Sequence, residues 1–445
     1  MKPAVKILPS GARLVVAPNP HRKTTAIVVG VGLGSRHEPE GLHGAAHFLE
    51  HMVFKGTRRR PSSKAICGPL EAHGSSLDAY TDKELTTYEC MIAKENAPMA
   101  LDAIHDVLVN ALLREEDMEA ERNVILDEIS TAEEDPECTA TELSQAHAYD
   151  GTGLAHRILG EDVPFTAAEL RRLYEEWYQP PNVVIALAGA VDERVVQHAS
   201  SLFGNVSNWS LFDAKPSIDA ARRARVNIER GDLMIHRFVP GCTYHESLAS
   251  RLSVVVGFPG LASAHPDSMA LAILSKALGG YSSARLFQSI RERRGLCYNV
   301  GTYECQYSDA GTLSVGTELE PGVFEDALRL VLGEAADIRE HGLREEEILF
   351  AKGHIEGEDA VTFDEPIAVA RDIVHQIVTD GAYDSPEAQI AKVLRVTDAD
   401  VRRVARRHLE LSKVHVTVSG PPESMEDVRG VVGRCLWDCG ATSAL

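Results

Sequence analysis

The chain repeats itself. The stretch LREEDMEAERNVILDE, which begins at Leu113, returns as LREEEILFAKGHIEGE at Leu343, 230 positions later. ELRRLYEEWYQPPNVVIALAG, from Glu169, returns at nearly the same offset as DVRRVARRHLELSKVHVTVSG, from Asp400. Self-similarity sustained at one offset means that one structural unit is used twice. A chain of 445 residues is also long for a single core. The repeat therefore predicts two homologous domains, over 1–212 and 229–440, joined by a polar linker at 213–228.

Local patterns fill in the first repeat. ILPSGARLVVAP reads as strand, turn, strand. TTAIVVGVGLGS reads as a buried strand ending in glycines, and its Gly30, Gly32 and Gly34 are not a dinucleotide fingerprint because no helix follows directly. Periodicity predicts helices at 44–54 and 62–73, strands at 76–81 and 85–92, and helices at 95–112 and 116–147.

The net charge of −21 argues against a nucleic-acid ligand, whose phosphates need Lys and Arg. The eight cysteines show no finger-like spacing, and Cys435 with Cys439 is one pair where a structural zinc site needs four ligands. Reduced thiols are expected. There is no apolar run of membrane-spanning length and no signal-peptide core near the N-terminus, so the expected location is the cytoplasm.

The chemistry concentrates in EGLHGAAHFLEHMVFKGT, Glu40 to Thr57. On a helix, His47 and His51 are one turn apart on one face, where two imidazoles can grip one metal ion. Glu50 lies about 60° from His47 around the wheel, within reach of a water in the site without being a ligand. This is the order H-x-x-E-H. A hydrolytic zinc site needs a third protein ligand and an open position. EAERNVILDEIST offers Glu121 and Glu128, seven residues apart and so on one helical face, with Val124, Ile125 and Ile129 available for packing.

These motifs resemble the inverzincin zinc metallopeptidases, a family that includes pitrilysin, insulin-degrading enzyme and the β subunit of mitochondrial processing peptidase. HFLEHMVFKGT and the preceding GSRHEPEG both match, and 76 residues separate His51 from Glu128, as the family's spacing requires. The resemblance spans the whole chain and is of the short two-domain type. It implies that His47, His51 and Glu128 ligate Zn2+, that Glu50 is the general base, and that Glu121 supports the site. In the second repeat, GGYSSARLFQSIRERRGLCYNVG matches the segment where the family carries an Arg and a Tyr seven residues apart, here Arg291 and Tyr298. Their implied role is to stabilise the oxyanion or hold the peptide backbone. Leu271, Leu274 and Ser275 fall opposite His47, Glu50 and His51, so the second domain has lost the metal set.

The implied fold is α+β: two homologous domains, each a mostly antiparallel sheet with helices on one face, together half of a clamshell chamber. A second chain would complete it, as a homodimer or as a heterodimer with a zinc-free homologue. The implied activity is endopeptidase cleavage of unfolded peptides or propeptides, the peptide binding along the strand of Asp78, Ala79 and Tyr80. Where the family has Asn, this chain has Asp78, which accepts but when ionised cannot donate; it would either favour a basic group in the substrate or be neutral. Some relatives are structural core subunits without chemistry, but such a scaffold has no need to keep His47, Glu50, His51 and Glu128 together.

Overall fold

The computed structural model describes residues 5–209, 238–421 and 428–441. The linker expected at 213–228 lies outside them. Two compact units, each built on one sheet, organise the described chain.

In the first unit the strands are β1 (Lys6–Ile7), β2 (Arg13–Pro18), β3 (Thr24–Val31), β4 (Asp78–Thr81), β5 (Thr86–Ala93) and β6 (Val183–Gly189). They lie in the order β1-β2-β6-β3-β5-β4, antiparallel except for the β2–β6 pair. Alternate residues of a strand face opposite sides of its sheet. Ile27, Val29 and Val31 join the core under the helices Ala45–Val53 and Ala97–Asn110. Ala26 and Val28 join a second core with Ala370, Ile373 and Val374 of the helix Pro366–Thr379. Strand β3 is thus covered on both faces, which is why AIVVGV, from Ala26, is apolar throughout rather than alternating. Each of the buried Val and Ile side chains contributes about 1.5–3 kcal/mol on burial.

The second unit carries β7 (Gly241–Glu246), β8 (Leu252–Pro259), β9 (Cys297–Gln306), β10 (Gly311–Leu319) and β11 (His415–Gly420), in the order β7-β11-β8-β10-β9. Only β7–β11 is parallel. Leu252, Val254, Val256 and Phe258 of β8 pack with Leu271 and Leu274 of the helix Ser268–Gly279. The helix Pro136–Ala148 packs on β8 and β11.

Each unit therefore takes one helix from the other sequence half. Residues 130–155 join the second unit and 360–386 the first. The boundaries read from the repeat, 1–212 and 229–440, do not include this exchange. The single helix expected at 116–147 is in fact two, Glu115–Glu134 and Pro136–Ala148. Pro136 has no N–H to continue the first, and the Asp135 carboxylate caps the second by accepting from the amides of Glu137 and Cys138.

All eight cysteines are free. Among the described residues no helix is long and apolar enough to cross a membrane.

Candidate active site

The helix Ala45–Val53 buries Ala45, Ala46, Phe48, Leu49, Met52 and Val53, so its remaining face is His47, Glu50 and His51. The helix Glu115–Glu134 is anchored by Met118, Ile125 and Ile129, which sets Glu121 and Glu128 on the stripe facing the histidines. Strand β4 lies at the sheet edge and brings Thr81 to the same place.

His47, His51 and Glu128 meet. The two Nε2 atoms are 3.3 Å apart, and Oε2 of Glu128 is 3.7 Å from that of His47 and 3.6 Å from that of His51. One ligand atom from each residue lies within 4.8 Å of the others, and among the described residues this is the one group of its kind. Glu121, 5 % exposed, accepts from Nδ1 of His51 at 2.9 Å and is ion-paired on its other oxygen with Lys55. With its proton on Nδ1, His51 presents a lone pair from Nε2. Burial, with His51 beside it, pushes His47 down to about 3, so His47 is neutral. The side chains bring two imidazole nitrogens and a carboxylate oxygen to one point, and Oε2 of Glu128 is buried without a hydrogen-bond partner. A cation satisfies all three acceptors at once, and nitrogen with oxygen donors in this number suits zinc.

Glu50 stands beside this set. Its Oε2 accepts from the Thr81 hydroxyl at 2.6 Å. Burial raises its pKa above the ordinary carboxylate value, while the Thr81 hydrogen bond opposes the rise. Sequence reasoning missed Thr81. The signal was present: in a strand, Thr81 faces away from Tyr80 and Asp78, toward the helix. Tyr80 is 59 % exposed, whereas Thr81 is buried.

Asp78 accepts from Ser76 at 2.6 Å and sits directly across from Glu89 in the β4–β5 ladder. Arg371, on the helix Pro366–Thr379, is ion-paired with Glu89 and feels the charge of Asp78. The edge strand thus carries a compensated charge cluster rather than an isolated carboxylate.

In the second unit, Tyr298 at the start of β9 is 78 % exposed, and the Arg291 guanidinium lies 5.2 Å from the centre of its ring. Phe287 backs the same guanidinium at 4.5 Å. Leu271, Leu274 and Ser275 are all buried. Glu358 falls 230 positions after Glu128, and there it holds the Lys276 ammonium at 2.6 Å. A side-chain cation stands opposite that carboxylate where the first repeat gathers its three acceptors.

Comparison with known proteins agrees with this architecture. A family model described as Insulinase (Peptidase family M16) matches residues 13–162, and one described as Peptidase M16 inactive domain matches 164–353. An uncharacterized zinc protease of Streptomyces coelicolor is 33% identical, the match covering 90% of this chain and 85% of that protein. A probable mitochondrial-processing peptidase subunit beta of Arabidopsis thaliana is 26% identical, over 98% of this chain and 81% of its own. The crystal structure of a protease from Helicobacter pylori superposes with a TM-score of 0.83 at 19% identity, covering 94% of this chain and all of that one. The chain belongs to the M16 peptidase family, as a two-domain member whose second domain is of the inactive type.

Proposed function

We propose that this chain is a zinc-dependent endopeptidase in which His47, His51 and Glu128 hold the ion and Glu50 is the general base. The observation that carries the reading is the convergence of one ligand atom each from His47, His51 and Glu128 within 4.8 Å, next to a half-buried carboxylate that is not one of them. When bound, zinc supplies a Lewis acid for the scissile carbonyl and lowers the pKa of water to about 7. The residues do the rest. Glu121 fixes the tautomer of His51. Glu50 takes the proton of the attacking water and returns it to the leaving amine. The peptide adds as a further strand along β4, past Asp78, Ala79 and Tyr80, so that backbone hydrogen bonds carry much of its affinity. Tyr298, backed by Arg291, stabilises the oxyanion from a second chain that completes the enclosure. The purified protein is expected to hold zinc, to lose peptide cleavage when a chelator strips it, and to regain cleavage when zinc returns. Undiminished cleavage by metal-free protein rules the reading out.

The Thr81 contact gives a pH test with a definite sign. Glu50 must be ionised to act, so its pKa sets the acid limb of kcat/KM, and the Thr81 hydrogen bond lowers that pKa. Thr81→Val removes the one hydroxyl that favours the ionised form. A hydrogen bond to a charged group is worth about 1.5–3 kcal/mol, so the limb should move up by about one to two pH units. An unmoved limb would mean that Thr81 does not act on the base.

A further inference from the structure

We propose that Glu38 is a positioning residue for the metal helix: its buried carboxylate fixes the first turn, which carries His47. This rests on the metal assignment made above for His47, His51 and Glu128.

The helix Ala45–Val53 has a weak beginning. Its first residue follows Gly44, which adopts φ 89° and offers no side chain to cap the free amides. No side chain can be supplied there, because a Cβ on Gly44 would come within 2.6 Å of the Leu159 carbonyl oxygen. Glu38 does the capping from outside the helix. Its Oε2 accepts from the Gly44 amide at 2.9 Å and its Oε1 from the Ala46 amide at 2.8 Å. Glu38 is 5 % exposed, so water cannot replace either bond. The next residue after Ala46 is His47.

The same carboxylate stands at a joint between two parts of the site. Burial raises the Glu38 carboxyl to about 8, while the Ala46 and Gly44 amides and then the charge of Lys83 oppose the rise; Lys83, also 5 % exposed, donates its ammonium to the His156 carbonyl. The Arg36 amide donates to the Lys83 carbonyl at 2.9 Å, the Ser35 amide to that of Asp82 at 3.2 Å, and the Arg36 guanidinium meets Glu84 at 2.5 Å. This ties the segment leading into the metal helix to the β4–β5 turn. That turn begins directly after Thr81, the donor to Glu50. Glu38 thus links the helix that carries both histidines and the base to the strand that orients the base.

An amide side chain has one acceptor where a carboxylate has two, so Glu38→Gln must leave one buried helix amide unpaired. The full-length wild type, Glu38→Gln and Glu38→Asp are each titrated with zinc against a chromophoric chelator, and kcat and KM are measured on one peptide. Glu38→Gln is expected to hold zinc tenfold to about a hundredfold more weakly, the range for residues that orient metal ligands. Its kcat should fall with KM unchanged, since the β4 edge is held by its own ladder to β5, which Glu38 does not join, and Glu38→Asp should recover part of the zinc affinity. A general loss of stability would not separate kcat from KM in this way. A folded Glu38→Gln protein that holds zinc within about twofold of wild type overturns the proposal. Wild type that binds no zinc overturns the metal assignment instead. If Glu38→Gln does not fold, hydrogen exchange on zinc-free wild type decides: the Gly44 and Ala46 amides should be protected, and exchange at the rate of an open loop overturns the role.

Discussion

Glu50→Gln is expected to abolish peptide cleavage while leaving zinc in place. Gln has the shape of Glu, and its carbonyl oxygen can still accept from the Thr81 hydroxyl, so the contact at 2.6 Å survives. What it cannot do is take a proton from water. Loss of a general base lowers the rate by about 10²–10⁴-fold. The acceptors proposed to hold the ion belong to His47, His51 and Glu128, so on that reading the zinc content should equal that of wild type. Stability gives a second, independent sign. Burial raises the pKa of Glu50 in the folded protein above its unfolded value. Such an acid binds its proton more tightly when folded, so its contribution to stability falls as pH rises past the unfolded pKa. At neutral pH the neutral amide removes a partly buried charge, and Glu50→Gln should melt no lower than wild type. Metal analysis, a cleavage assay and a melting curve on one preparation test all three. Near-wild-type turnover, or loss of zinc along with turnover, would remove Glu50 from the role of base.

Helix periodicity made one part of this site legible in the sequence. His47 and His51 share a face because they are four apart, and Glu121 and Glu128 share one because they are seven apart. That the two helices meet is tertiary information, which the spacing within each does not contain. The supporting contacts were harder to read. Lys55 and Glu38 lie inside quoted motifs and Thr81 directly follows Tyr80, but their roles depend on which group each one faces. The helix exchange was hidden for a related reason. The segments 136–148 and 366–379 form helices, and helical periodicity does not name the sheet that covers a helix. Pro136 is a different case, since a proline inside EEDPE marks a break and the periodicity ran across it. In the second repeat the loss of function was plain from residue types, because Leu271 and Leu274 cannot ligate zinc; the ammonium of Lys276 against Glu358 needed the structure.

Mixing Glu50→Gln with Tyr298→Phe is expected to recover activity that neither variant has alone. The basis is the division of labour between the repeats: one holds the acceptors and the base, and the other presents Arg291 and Tyr298. Tyr298 is 78 % exposed and its ring is held by the Arg291 guanidinium, so removing its hydroxyl disturbs no core and should leave folding and zinc content intact. On the proposed reading a chain with two domains supplies half of a four-domain enclosure, and a homodimer is the simplest completion. If Tyr298 serves the zinc of its partner, a mixed dimer contains one site with both defects and one with neither. Random exchange of equal amounts makes half of the dimers mixed, so activity should return to about a quarter of the wild-type value. Native mass measurement with one variant carrying a mass tag verifies that exchange has occurred. If mixed dimers form and the mixture stays inactive, Tyr298 does not act across the dimer. A monomer that cleaves peptides at working concentration would exclude the shared enclosure altogether. The outcome also separates the two modes of assembly, because a chain that needs a zinc-free homologue would be inactive in every homodimeric mixture, wild type included.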